Sequence, residues 1–145
     1  MRIYLDNCVF NRPFDDQVQS RIRLETEAIL AIRESIVRDE LKLVWSYVID
    51  VEVFRNPFPL RRLGAESWKE LSITEIGPSV EILSEAIKFR DLGFGEIDSL
   101  HVACAIASNS NYFITTDDAI LKKSSYVDGI KLANPVEFVE RIGEL

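Results

Sequence analysis

The chain has 145 residues, of which 47% are hydrophobic and 28% are charged. This composition excludes a fibrous or disordered protein, and the length predicts one domain spanning residues 1–145. The net charge of -7 argues against a general binder of nucleic-acid backbones, so any contact with phosphate is expected to be local.

The N-terminal sequence predicts a soluble cytoplasmic protein. Met1 leads almost directly into the apolar segment Ile3-Tyr4-Leu5, without the basic region, long apolar run and cleavage site of a secretion signal. No apolar run in the sequence is long enough to cross a bilayer. Cys8 and Cys104 form no framework of spaced pairs, which favours a reducing compartment, and the sequence leaves open whether they meet in space.

Short apolar runs and helical repeats alternate along the chain. We predict strands at residues 2–5, 41–45, 72–76, 112–115 and 130–132. We predict helices at residues 18–38, 46–54, 59–71, 80–92, 96–107, 118–123 and 135–142. Gly64 is expected to weaken the third of these helices. Between the first strand and the first helix, Asp6-Asn7 ends the strand and Asn11-Arg12-Pro13 predicts a turn.

This alternation predicts a mainly parallel sheet with helices on both faces. In such sheets, ligands bind beyond the carboxyl ends of the strands. Asp6 and Asp117 each follow a predicted strand, and Glu52 and Asp98 lie on helices that can lean over the same edge. We therefore expect four carboxylates near one end of the sheet.

Clustered carboxylates are typical ligands of Mg²⁺ and Mn²⁺, and such a cation can activate water and polarise a phosphodiester. Each acid also has a simpler interpretation on its own. Asp98 fits the first turn of its helix and Asp117 fits a helix cap, whereas Glu52 lies in an apolar helix and is harder to explain as a surface charge. Asp6, which ends a strand before a turn, is intermediate. Their shared position favours a metal site that acts on phosphate.

Four segments occur in an order that resembles the PIN-domain family. They are Tyr4-Leu5-Asp6-Asn7-Cys8-Val9-Phe10, Ser46 followed by Glu52, Asp98-Ser99-Leu100-His101-Val102-Ala103-Cys104-Ala105, and Phe113-Ile114-Thr115-Thr116-Asp117. The terminal segment Asn134-Pro135-Val136-Glu137-Phe138 resembles the last helix of the family, so the likeness spans nearly the entire chain. The chain departs from the family at Asn7 and Cys8, where small hydroxyl residues are frequent.

The resemblance, in particular to toxin-like, VapC-type ribonucleases, implies a three-layer α/β/α sandwich with a mainly parallel central sheet. It implies an endoribonuclease that depends on Mg²⁺ or Mn²⁺. Catalytic and metal-binding roles then fall on Asp6, Glu52, Asp98 and Asp117, with Asp118 as an auxiliary metal ligand. The resemblance also implies RNA as the substrate, an antitoxin protein as a partner, and a homodimer.

Three further residues are candidates for binding substrate. Asn7 follows Asp6 and can hydrogen-bond to phosphate or water through its amide. Arg12 and Arg55 can attract RNA phosphates, although solvated surface charge is the simpler interpretation of both. His101 lies three residues after Asp98 on one helical face, where it can orient Asp98 or a water. We leave it outside the catalytic set, because a lone histidine on an apolar helix is more often a hydrogen-bonded packing residue.

Two other functions compete with the nuclease. A phosphatase of the haloacid-dehalogenase type would use Asp6 as a nucleophile, but that pattern expects another Asp two residues later, where this chain has Cys8. The second is a catalytically weak or inactive PIN-like module for nucleic-acid binding or scaffolding, and the complete acidic set argues against it. A single histidine gives zinc little support, and thiol catalysis by Cys8 lacks an identified base.

Overall fold

A computed structural model describes residues 1–143, within which five strands and eight helices form. The strands are β1 (Arg2–Leu5), β2 (Lys42–Ser46), β3 (Thr74–Ile76), β4 (Tyr112–Ile114) and β5 (Lys131–Ala133). The helices are α1 (Asn7–Asn11), α2 (Ser20–Val37), α3 (Tyr47–Arg55), α4 (Pro59–Lys69), α5 (Val80–Asp91), α6 (Glu96–Ala107), α7 (Asp118–Leu121) and α8 (Pro135–Ile142). Short 3₁₀ turns lie at Arg12–Phe14 and Ser124–Tyr126.

The five strands form one sheet in the order β3-β2-β1-β4-β5, and every neighbouring pair is parallel. The central strand β1 pairs Tyr4 with Val44 of β2 and with Phe113 of β4. Because all strands run the same way, their carboxyl ends meet at one edge. The strands after which Asp6 and Asp117 come are therefore adjacent.

Side chains alternate between the two faces of the sheet, and helices cover both faces. On one face, Phe10 of α1 packs against Trp45 of β2 and Trp68 of α4, with ring centroids 5.1 and 5.5 Å apart. On the other face, Tyr4 stacks on Phe113 at 5.5 Å and meets a ring of α6. The expected three-layer α/β/α fold with a parallel central sheet is confirmed.

The segment after β1 differs from the prediction. Residues 7–11 form the short helix α1, whereas the sequence predicted only a strand end and a turn at 11–13. Asp6 starts this helix because its Oδ1 accepts a hydrogen bond from the backbone N–H of Asn7 at 2.8 Å. A helix of five residues is too short to produce an apolar repeat, although its Val9 and Phe10 are buried.

The remaining elements match the predicted ones to within a few residues at their ends. The ends shift by at most two residues, as at α2, which begins at Ser20 rather than at Val18, a residue that is 84% exposed. Gly64 is accommodated within α4 because the helix passes close to Phe14: a Cβ at this position would lie 2.9 Å from the Phe14 ring. Close packing against Phe14 thus explains why a glycine occurs here, although glycine lowers the stability of a helix.

Within residues 1–143, the helices all fall short of the length and apolarity that a membrane crossing requires.

Candidate metal centre

Asp6 stands at the centre of the carboxyl edge of the sheet, where its carboxylate is held from several sides. The residue is 6% exposed. Its Oδ1 caps α1, and its Oδ2 accepts a hydrogen bond from Thr115 Oγ1 at 2.8 Å and faces the thiol of Cys8 at 3.5 Å. Thr115 in turn accepts a hydrogen bond from the backbone N–H of Asp117 at 3.1 Å. The position of this carboxylate is therefore fixed by the ends of β1 and β4.

Glu52 and His101 meet beside Asp6. Glu52 lies on α3, which Ser46 begins by accepting a hydrogen bond from the backbone N–H of Ile49 at 3.3 Å. His101 on α6 is fully buried, and its Nε2 contacts Oε1 of Glu52 in a short hydrogen bond and lies 3.7 Å from Oδ1 of Asp6. Ligand atoms of these three residues lie within 4.8 Å of one another. Asp6, Glu52 and His101 thus form the tightest group at the edge.

His101 was assigned to packing, and the structure places it in the site as well. Burial alone would lower the pKa of His101, but the hydrogen bond with Glu52 and the charges of Asp6, Glu52 and Asp98 outweigh burial and raise it. A sequence signal did exist, since His101 falls three residues after Asp98 and so on the same side of α6. That spacing alone does not distinguish a packing residue from a site residue.

Asp98 lies in the first turn of α6 and is half-buried. Its pKa is raised from 3.8 to about 6, first by burial and then by the charges of Asp6, Asp117 and Glu52, while His101 opposes the shift. Burial accounts for the largest part of this shift, and the charges of the other three acids add to it. The four acids predicted from sequence therefore share one electrostatic environment, although Asp98 and Asp117 lie outside the tightest group.

This raised pKa predicts a pH-dependent stability in the metal-free protein. The folded chain binds more protons at Asp98 than the unfolded chain does between pH 3.8 and about 6. The contribution of Asp98 to the free energy of unfolding is therefore complete below pH 3.8 and is lost as the pH rises through about 6. We expect Asp98→Asn, which cannot titrate, to remove this part of the profile.

Urea unfolding of both proteins in EDTA, from about pH 4 to about pH 8, measures the difference. Subtracting the two profiles removes the contributions of groups that titrate equally in both proteins. Parallel profiles for the two proteins would contradict the raised pKa of Asp98.

Asp117 and Asp118 have different surroundings. Asp117 is exposed and caps α7 by accepting a hydrogen bond from the N–H of Ala119 at 2.9 Å, as its simpler interpretation predicted. Asp118 forms a two-pronged ion pair with Arg21, with N–O distances of 2.8 and 2.9 Å. This hydrogen bonding lowers the pKa of Asp118. Its two oxygens therefore already have a cationic partner, which weakens the case for an auxiliary metal ligand.

Two of the three candidates for substrate binding, Asn7 and Arg55, line an open cleft of about 430 Å³ that also contacts Glu52. Arg55 is exposed and forms no ion pair with any other residue in the described range 1–143. Arg61 also lines the cleft, but it is tied to Asp15 at 3.0 Å. Arg55 is thus a cation available to a ligand in the cleft.

Arg12 forms ion pairs with acidic residues of the protein itself. Its guanidinium pairs with Asp15 at 3.2 Å and lies 3.0 Å from Oε1 of Glu25, a residue of α2 that is only 1% exposed. Arg21 approaches the other oxygen of Glu25 at 3.4 Å, and the side-chain amide of Asn134 donates a short hydrogen bond to the same oxygen. Arg12 therefore balances a buried charge, which leaves it a weaker candidate for binding RNA than Arg55.

The two cysteines are free thiols in different parts of the structure. Burial raises the pKa of Cys8 to about 12, and the neighbouring charge of Asp6 adds to the shift. Burial likewise raises the pKa of Cys104 to about 12. Because the thiolate is the nucleophile, neither residue is suited to covalent catalysis. Cys8 instead packs against Thr115 at 3.4 Å and donates toward Asp6.

Comparison with known proteins gives no sequence family but several similar structures, three of which are described below. No protein-family model matches the chain. No curated protein matches it either. One similar structure is VapBC2 from Rickettsia felis bound to a DNA fragment from the VapBC2 promoter. It has a TM-score of 0.60 at 14% identity, covering 92% of this chain and 98% of that one.

FitAcB from Neisseria gonorrhoeae has a TM-score of 0.59 at 16% identity, covering 92% of this chain and 97% of that one. VapBC-1 from nontypeable Haemophilus influenzae has a TM-score of 0.59 at 16% identity, covering 93% and 98%. The matches extend over almost the full length of each compared chain, so the likeness concerns the whole architecture. With its sheet order, its two helical layers and these similar structures, the chain has the PIN-domain fold that its sequence motifs resemble.

Proposed function

We propose that this protein is an endoribonuclease that depends on Mg²⁺ or Mn²⁺ and acts as the toxin of a toxin-antitoxin pair. The observation that carries the proposal is the meeting of Asp6 and Glu52 beside His101 at the sheet edge, next to a cleft lined by Glu52 and the exposed Arg55. The similar VapBC and FitAcB structures support a toxin of this fold. RNA as the substrate rests on the family resemblance.

The donor set fits a hard divalent cation. Carboxylate oxygens are the ligands that Mg²⁺ prefers and Mn²⁺ accepts. Burial contributes most to the raised pKa of Asp98, and the charges of the neighbouring acids add to it; a bound cation would offset that repulsion. Asp6, Glu52, Asp98 and Asp117 would hold the cation, which when bound lowers the pKa of a water and neutralises charge on a phosphodiester.

The protein residues around these acids prepare the site for a phosphodiester. Thr115 and the start of α1 fix the Asp6 carboxylate before any ligand arrives, so little reorganisation is needed. Arg55 can pair with a phosphate through its guanidinium, and the Asn7 amide can hydrogen-bond to a phosphate oxygen from the same cleft. Local positive charge of this kind offsets the overall acidity of the chain for a polyanionic substrate.

Exposed apolar side chains near the cleft support a protein partner. Phe54 is 87% exposed, Phe58 is 60% exposed and lines the cleft, and Leu60 and Leu63 are exposed on α4. Exposed apolar patches of this kind mark interaction surfaces in soluble proteins. We assign this surface to an antitoxin segment, which would reach the site from there. The homodimer that the family resemblance implies remains part of the proposal.

Metal removal tests the proposed activity. We expect the purified protein to cleave a fluorescently labelled RNA in Mg²⁺ or Mn²⁺, to lose the activity in EDTA, and to recover it when excess cation is returned. Asp98→Asn protein prepared in parallel controls for contaminating ribonucleases. Cleavage that persists in EDTA would contradict the metal dependence. A folded protein that binds RNA without cleaving any of a varied set would instead identify a binding module.

A further inference from the structure

The buried imidazole of His101 has a partner on each of its nitrogens. Its Nδ1 lies 2.6 Å from the hydroxyl of Tyr4, and its Nε2 contacts Glu52. The Tyr4 hydroxyl lies a further 2.6 Å from Oγ of Ser46, the residue that caps α3. These four side chains form a continuous hydrogen-bonded chain from β2 through β1 and α6 to α3, which we call the Ser46–Glu52 chain. Unpaired polar atoms would be costly at this depth, and this chain satisfies them.

The chemistry of the partners fixes the proton on Nε2. A carboxylate can only accept, so His101 must donate from Nε2 in its hydrogen bond with Glu52. On the other side, the Tyr4 hydroxyl donates to Nδ1 when the ring is neutral and accepts from it when the ring is charged. Burial raises the pKa of Tyr4 well above its ordinary value, so the phenol keeps its proton. A tyrosine behind His101 therefore suits either charge state of the ring.

Ser46 completes this arrangement at its far end. Its Oγ accepts a hydrogen bond from the backbone N–H of Ile49, so its own proton is available to the Tyr4 oxygen. The ring of His101 is further confined by the edge-to-face contact with Tyr4, in which the centroids are 5.6 Å apart. The orientation of the ring is thus set by Tyr4 of β1 and, behind it, by Ser46 at the end of β2.

Distance alone would also allow His101 to ligate a cation, because its Nε2 lies within 4.8 Å of ligand atoms of Asp6 and Glu52. Ligation would require an Nε2 without a proton, and Glu52 would lose its donor. We propose that His101 is a positioning residue. Its Nε2 stays protonated and donates a hydrogen bond to Glu52, which holds that carboxylate toward the cation. Tyr4 and Ser46 fix the orientation of the ring. The cation in this inference rests on the proposed function.

Nuclear magnetic resonance can test the proton position directly, because the chain contains a single histidine. In protein labelled with ¹⁵N, we expect a protonated Nε2 in the metal-free state and after saturation with diamagnetic Mg²⁺. Loss of the Nε2 proton on addition of Mg²⁺ would overturn the inference and make His101 a ligand. An Nε2 without a proton in the metal-free protein would overturn it as well.

Variants test the positioning role through Mg²⁺ affinity. We expect His101→Leu to weaken Mg²⁺ binding about 10- to 100-fold, as loss of a partner that orients a metal ligand typically does, and His101→Gln to recover part of it by offering an amide donor. Tyr4→Phe should weaken binding and speed exchange of the Nε2 proton. Tyr112→Phe, which changes another buried tyrosine at the opposite end of the sheet, is the matched control and should alter neither.

Unchanged Mg²⁺ affinity in folded His101→Leu protein would overturn the positioning role. Thermal unfolding of each variant identifies any that fails to fold, and the Tyr4→Phe and His101→Gln proteins then carry the test. Failure of the proposed function has a different signature. A wild-type protein that binds no Mg²⁺ would overturn the metal site, whereas the proton position is read in the metal-free protein.

Discussion

Asp6→Asn is expected to reduce metal-dependent RNA cleavage by at least about 100-fold. A bound cation contributes several kcal/mol of stabilisation to the transition state, and each 1.4 kcal/mol corresponds to about a factor of ten in rate. The substitution removes the charge of the acid that lies deepest at the sheet edge. Asparagine can still cap α1 and can still pair with Thr115, so the fold should remain. Initial rates over a range of Mg²⁺ concentrations measure the effect.

Asp91→Asn is the matched control for this substitution. It makes the same chemical change at an exposed acid near the end of α5, and it should leave cleavage unchanged. Thermal unfolding should give closely similar midpoints for all three proteins in EDTA. If the Asp6→Asn protein is folded and retains more than about a tenth of the wild-type rate, the proposed role of Asp6 is wrong.

Arg12→Ala is expected to lower the free energy of unfolding by about 3 kcal/mol, because it removes one partner of a buried carboxylate. Glu25 would keep Arg21 and Asn134, which places the expected loss at the lower end for a broken buried pair. Urea denaturation measures this loss. The result would assign Arg12 a structural role in place of the substrate-binding role that its sequence position suggested.

Arg55→Ala provides the contrast, because Arg55 is exposed and lines the cleft. We expect it to leave the stability unchanged and to weaken RNA binding, more strongly at low salt than at high salt. A second comparison isolates the buried charge. Adding Glu25→Gln to the Arg12→Ala protein should recover part of the lost stability, and a further loss would show that Arg12 acts through contacts other than Glu25.

The elements that could be predicted from sequence are those whose apolar residues recur at regular spacing. Parallel strands that are buried on both faces appear as short apolar runs, and amphipathic helices appear as spaced apolar residues, so five strands and seven of the eight helices were located. Helix α1 was missed because five residues cannot display a repeat. Its start depends on a hydrogen bond from Asn7 to Asp6, and no apolar pattern reports such a contact.

For the site, sequence order located the acids but not their partners. Asp6 and Asp117 follow strands, so topology alone brings them to one edge. The contact of His101 with Glu52 joins α6 to α3 across 49 positions, and the pairing of Arg12 with Glu25 depends on how the 3₁₀ turn packs against α2. Such pairings arise from tertiary packing, which local sequence does not encode.

Four helices begin at the acidic edge: α1 after Asp6, α3 after Ser46, α6 after Gly95 and α7 after Asp117. The first turn of each helix directs backbone N–H groups and a partial positive charge toward this edge. Folding itself therefore supplies some of the charge compensation that the acids need. We expect the chain to fold to its native state before it binds a divalent ion. The supply of that ion would then control the activity of the protein and not the stability of its fold.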